Sequence, residues 1–212
     1  MDSFVEVQNW GLNALTISAL VTVVVSLIQG SGIIQQGRKI WETKSTQSLS
    51  TIMLFYSMAY FLVFMVYGLA KFSLAMVFNG MIGFLFLPSL LGVFKFGRPS
   101  RQQIIALVFF ALLIPAMAVI KEKDIFLSIL GVGVLISILL QLREMFIQKS
   151  RGAIDVRFLA KFLFANLVWL VYGVLVHNWV LIYFNILGAG LFFTGIMIYY
   201  EYPFHLVEKK DG

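Results

Sequence analysis

The sequence predicts an all-α membrane protein: seven transmembrane helices, arranged as two parallel three-helix bundles joined by a linker helix. Three observations carry this expectation. The composition is far too apolar for a soluble fold, the apolar residues fall into seven stretches separated by charge, and the pattern repeats at a nearly constant offset. Of 212 residues, 60% are hydrophobic and 12% are charged, where an ordinary soluble domain has about 45–50% and about 25%. Mean hydropathy is +0.93. A soluble chain of this size leaves most residues in contact with water and could not hide so much apolar surface. Seven spans of about 20 residues use about 140 residues, which leaves no room for a second, soluble domain.

The first apolar stretch, 12–36, is the most polar of the seven. The second (51–69) and third (73–94) follow after a basic loop. The fourth (104–120) contains no Ser, Thr, Asn, Gln or charged residue, as expected of a linker facing lipid. The fifth (125–142), sixth (158–176) and seventh (179–200) complete the set. Most are close to the length a helix rising 1.5 Å per residue needs to cross a ~30 Å hydrocarbon core. No strand alternation suggests a barrel.

The basic residues orient the chain. Arg38, Lys39, Lys44, Lys95, Arg98, Arg101, Arg143, Lys149, Arg151, Arg157, Lys161, Lys209 and Lys210 fall in alternate loops and the C-terminal tail; only Lys71, Lys121 and Lys123 fall on the other side. The positive-inside rule then puts the N-terminus outside and the C-terminus in the cytosol, in a plasma, inner or organelle membrane. The same rule explains the net charge of +6, so nucleic acid is not an expected partner. The acidic start, Asp2 to Glu6, does not read as a cleaved signal.

The repeat is the most informative feature. Gln36 recurs as Gln141, Lys44-Ser45 as Lys149-Ser150, Phe64 as Trp169 and Tyr67-Gly68 as Tyr172-Gly173, all 105 positions on. Phe78-Asn79 recurs as Phe184-Asn185 at 106, which places one extra residue in the loop between the sixth and seventh helices. Each unit has three crossings, so the second would be inverted unless a fourth helix restored the starting side. The boundaries follow: residues 1–96 form the first bundle, 97–123 the linker, 124–201 the second bundle and 202–212 a cytosolic tail. Parallel repeats of this kind occur in secondary transporters, with the solute near the midplane.

No Asp, Glu, Lys or Arg lies near the middle of a span, which argues against proton coupling. There is no cysteine, no His/Cys/carboxylate cluster and no phosphate-binding glycine loop, so neither metal, cofactor nor enzyme chemistry is expected. His177, alone beside the last loop, reads as solvated or interfacial. What the spans contain is amides and aromatics. Asn79 and Asn185 sit in mid-helix at paired positions, where an amide is costly unless hydrogen-bonded. An amide carries donors and acceptors that can pair with hydroxyls. Ser57, Tyr60, Phe64 and Tyr67 form one helical stripe; Asn166, Trp169 and Tyr172 form another. Together they suit a small, neutral, polar molecule. The second reading of each Asn is helix–helix glue, and of Trp169 simple packing. Tyr67 and Tyr172 read as structural or gate residues. Gly30, Gly32, Gly68, Gly83, Gly173 and Gly188 read as places of close helix contact.

Gln36, then Lys44-Ser45-Thr46-Gln47-Ser48-Leu49-Ser50, resembles the PQ-loop signature, and Gln141 with Lys149-Ser150 resembles a degenerate second copy. Trp169-Leu170-Val171-Tyr172-Gly173 and Phe184-Asn185-Ile186-Leu187-Gly188 resemble the second half of SWEET sugar transporters. Gln35 and Leu140 stand where that signature has proline, and Ile82 stands where Gly188 would have its counterpart. The resemblance implies uncoupled, facilitative transport of a mono- or disaccharide by alternating access. It implies sugar contacts at Asn79, Asn185 and Trp169, joined by Phe64, Asn166 and Tyr60, and hinges or gates at Gln36, Gln141, Tyr67 and Tyr172. The alternatives are a related transporter of an amino acid or vitamin and, less well matched, a seven-helix receptor. The lipid bilayer is the expected environment, and a homo-oligomer is left open.

Overall fold

The computed structural model describes residues 3–44, 51–149 and 156–202. Every regular element among them is helical. A single turn, α1 (Val5–Gln8), precedes α2 (Ala14–Thr43). Asn13 caps α2 by accepting from Thr16 N at 2.9 Å, one of the four orphan amides of a helix start. The 30 residues of α2 extend about 45 Å, beyond the hydrocarbon core. After α3 (Thr51–Ala70), α4 (Leu74–Met81) opens a continuous 24-residue apolar stretch to Gly97. It tightens to 3-10 geometry over Ile82–Phe86, relaxes into α5 (Leu87–Gly92) and ends in a π turn over Val93–Gly97. Pro88 explains the tightening, because it brings no N–H to the ladder; Leu87 N instead reaches Phe84 O.

Ser100 and Gln103 form a capping box at the start of α6 (Arg101–Val119). Met117 is the buried side chain of this helix; Val108, Phe109 and Leu112 are exposed. The remaining helices are α7 (Lys123–Gln148), α8 (Val156–Leu175) and α9 (Trp179–Glu201). By length and hydropathy, Ala14–Glu42, Leu74–Gly97, Arg101–Val119 and Trp179–Glu201 can each cross a membrane, and shorter apolar helices cover Leu54–Ala70 and Leu159–Leu175. The protein is an integral membrane protein, and the large aliphatic side chains on its outside face lipid rather than water. The motif residues 45–50 and 150–155, and the tail 203–212, lie outside the described residues, as do the side chains of Gln36 and Gln141.

The duplication is visible in the backbone. Lys71 N, Phe72 N and Ser73 N donate to Tyr67 O, Leu69 O and Gly68 O; 105 positions later, Val176 N, His177 N and Asn178 N donate to Tyr172 O, Val174 O and Gly173 O. Phe72 (φ 50°) and His177 (φ 51°) take the same left-handed turn. Lys44 and Lys149 end their helices in that conformation too. Helix packing follows the same rule. The third segment packs on α2 and α3 as α9 packs on α7 and α8, and the contact of α2 with α8 is matched by that of α7 with α3.

The register corrects one sequence expectation. The turn before α9 is no longer than the turn before α4, so no residue is inserted there. Gly83 packs on Leu62 and Phe61 as Gly188 packs on Asn166, both at an offset of 105. Asn79 is therefore in step with Phe184, and Asn185 with Gly80: the two amides are one residue, about 100° of helix, out of phase. The counterpart of Gly188 is Gly83, not Ile82. Gly32 is a second correction, since a Cβ there would meet nothing within 4 Å.

Candidate functional site

Seven helices contribute to one buried cluster that includes Ala19, Phe64, Tyr67, Met76, Met117, Leu127, Trp169, Tyr172 and Leu181, with Tyr60 packed at its edge. Its centre is aromatic. Phe64 and Trp169 meet edge to face with centroids 5.7 Å apart. Trp169 meets Tyr172 in the same way at 5.6 Å, and Phe64 stacks on Tyr67 at 6.2 Å. The Trp169 indole Nε1 is buried and donates to no described group.

The amides flank this cluster unequally. Asn79 is 8% exposed. Ser26 Oγ on α2 donates to Asn79 Oδ1 at 2.9 Å, with Thr22 O 2.7 Å away as a second acceptor. In the other unit Gly131 takes the place of Ser26, and the Phe184 ring fills the space a Cβ would need. Asn185 is half-buried, and its Nδ2 donates to Leu181 O of its own helix at 2.7 Å. Asn166 donates to Phe162 O at 2.7 Å and lies against Gly188, where any Cβ would collide with its Oδ1.

The sharpest geometry lies at the face of the bundle that carries α1. Tyr67 and Tyr172 are fully buried there. Tyr67 OH donates to Asp124 Oδ1 at 2.8 Å and accepts from Asn178 Nδ2 at 2.7 Å. Lys71 Nζ also binds Asp124 at 2.7 Å. Tyr172 OH donates to Glu6 Oε1 and lies 2.7 Å from Ser73 Oγ. Each tyrosine thus reaches out of its own unit to the N-cap residue of the other unit's third helix and to one carboxylate. The caps do double work: Ser73 accepts from Met76 N and Asn178 from Leu181 N.

Glu6 is 5% exposed, although it belongs to a single-turn helix at the chain's edge. Its carboxylate accepts from Ser73 Oγ, Leu74 N and Ala75 N at 2.9, 2.9 and 3.0 Å, at the positive start of α4. Burial works to raise its pKa; the hydrogen bonds from Tyr172, Ala75 and Leu74 outweigh that and hold it below the usual carboxylate value.

Tyr60, Phe64, Tyr67, Trp169 and Tyr172 therefore converge, while Asn79, Asn166 and Asn185 bond within their own units. Ser26, Ser73, Asp124, Asn178 and Glu6 did not stand out in the sequence. The 105-residue offset between Ser73 and Asn178, both good capping residues, was the available signal for two of them. Two cavities lie to the sides: about 340 Å³ between α1, α2 and α4, and about 400 Å³ between α7 and α9.

Residues 123–205 match the family described as sugar efflux transporter for intercellular exchange. No curated protein matches the chain. The 3.7 Å structure of a eukaryotic SWEET transporter shares its fold, with a TM-score of 0.67 and 16% identity over 88% of this chain and 95% of that one. The second unit of the chain is thus similar to that sugar-efflux family, and most of its length has the fold of that SWEET transporter structure.

Proposed function

We propose that the protein carries a sugar, a mono- or disaccharide, down its gradient by alternating access. The two three-helix units, joined by α6, rock about the aromatic cluster; the α1 face is the outer one and the C-terminus is cytosolic. The match of residues 123–205 to a sugar efflux family supports the cargo. The reciprocal bonds of Tyr67 and Tyr172 support the mechanism, because at the α1 face they tie the units together through side chains that can separate. Trp169 and Asn185 contact the sugar, with Phe64, Tyr60 and Asn166 lining the same region. Asn79 acts from the α2 side, held by Ser26. Tyr67 and Tyr172 form the outer gate, and Gln36 and Gln141 hinge the opposite end.

Uptake of labelled glucose and sucrose into proteoliposomes, without any ion gradient, tests this reading. Saturable entry supports it. Entry only under an imposed pH gradient removes the uniport mechanism, and entry of amino acids alone replaces the cargo.

A further inference from the structure

Among the described residues three buried side-chain atoms have no hydrogen-bond partner, Trp169 Nε1, Gln29 Oε1 and Ser89 Oγ; the first two are a donor and an acceptor, of opposite chemistry. A buried amide oxygen without a donor is costly in any protein and more so where lipid replaces water. The position of Gln29 says what could supply the donor. On α2, Gly30 lies against Ile82 and Leu85, and Gly37 against Pro88 and Ser89, so that face is turned to the third segment. Val24, Leu27 and Ile28 are exposed and mark the lipid face. Gln29 falls about 100° back from Gly30, on the arc left for α8, the other main neighbour of α2. That arc is the seam between the two units.

Its depth is fixed in the same way. Gly30 stands level with Ile82 and Leu85, which bracket Gly83. The counterpart of Gly83 is Gly188, which touches Asn166 on α8. Gln29 and Asn166 therefore share a level, just beyond Trp169 on the side away from α1. The other unit has no such arc: Leu127, Gly131 and Val134 replace Thr22, Ser26 and Gln29 at an offset of 105. At these three positions the first unit is polar and the second is not.

We infer that Gln29 is a further solute-contacting residue, whose Oε1 accepts a hydrogen bond from a hydroxyl of the carried molecule. This rests on the transport reading above and adds a specificity element to it. A hydroxyl both donates and accepts, so a polyhydroxylated solute in the seam satisfies Gln29 on one side and Trp169 on the other. Because Val134 stands at the equivalent position of the second unit, this particular acceptor is not duplicated, and the one hydroxyl that it reads matters more than the hydroxyl at the symmetric place.

The test compares wild type with Gln29→Met, which keeps the volume and removes the acceptor. Wild-type proteoliposomes are first offered glucose and sucrose, and monodeoxy derivatives are then made of whichever is carried. The expected result is about tenfold weaker binding of the parent sugar by Gln29→Met, the size of one hydrogen bond. One deoxy derivative should bind wild type and variant equally, because it lacks the hydroxyl that Gln29 reads. The empty variant should melt no lower than wild type, since an unpaired amide has been removed. Unchanged affinity, or an equal loss for every derivative, overturns the inference. Absence of sugar flux in the wild type overturns the transport reading and this inference with it, before any variant is compared.

Discussion

Phe64 and Trp169 stand 105 positions apart in the chain and touch edge to face at 5.7 Å. Equivalent positions of two repeated units can meet only where the axis relating the units passes between them. The contact therefore marks the axis and places the aromatic cluster on it.

Trp169 should be separable into a packing part and a hydrogen-bonding part. Trp169→Ala empties the centre of the cluster and should lower stability by about 3–5 kcal/mol, read as a lower melting temperature in detergent. Trp169→Phe keeps a ring against Phe64 and Tyr172 but has no N–H. It should melt near wild type and lose sugar-induced stabilisation. Equal melting and equal sugar response in Trp169→Phe would show that the indole N–H binds nothing.

Tyr67→Phe and Tyr172→Phe should each loosen the α1 face by a similar amount, about 1–3 kcal/mol, because each leaves buried partners unpaired. The two clusters share no residue, so the double variant should show the sum. The chain has no cysteine, which allows a direct readout. A single cysteine at Ala75, buried beside Glu6, should be labelled faster by an impermeant thiol reagent in each variant. Unaltered labelling would mean that the tyrosines do not hold this face closed.

Glu6 gives that closure a pH limit. Its folded pKa is depressed, so its contribution is fully present above the unfolded value and is lost as pH falls through the folded one. Labelling at Ala75→Cys, divided by that of a free thiol at the same pH to remove the reagent's own dependence on thiolate, should be flat from about pH 8 to 5 and rise only below the ordinary carboxylate value of 4.5. Glu6→Gln should label faster throughout and lose the acid rise. A rise centred near neutral pH would assign the transition to another group.

The out-of-phase amides predict unequal variants. Asn79→Ala removes the partner of the buried Ser26 and should lower the melting temperature. Asn185→Ala breaks only a bond to its own helix and should melt near wild type while losing sugar uptake. Identical effects on both measurements would return the amides to equivalent roles. Glycines divide in the same way: Gly188→Ala forces a Cβ onto Asn166 and should destabilise, whereas Gly32→Ala meets open space and should be neutral or gain about 0.5–1 kcal/mol of helix stability.

The helical class, the duplicated unit and the aromatic stripes were legible because each has a period. Lipid-facing excess shows in composition, a repeat shows as an offset, and Tyr60, Phe64 and Tyr67 share one face by spacing alone. The pairing of Asn79 with Asn185 misled for a physical reason. Identical residues one position apart look like a short insertion in a sequence, but the turns at 71–73 and 176–178 have the same hydrogen bonds and admit none. Glu6 and Asp124 flank the spans, where a carboxylate is ordinary and carries no signal of its own. Their function depends on contacts 166 and 57 positions away, to Tyr172 and Tyr67, which no local pattern records.

The central claim is that a sugar crosses by a carrier that exposes its site to one side at a time. Counterflow tests it most directly. Proteoliposomes are loaded with unlabelled sugar and diluted into a trace of the same labelled sugar, with no ion gradient. An alternating carrier should accumulate label transiently above the outside concentration and then release it. Label that only equilibrates, without overshoot, would indicate a channel; no protein-dependent entry at all would contradict sugar transport itself.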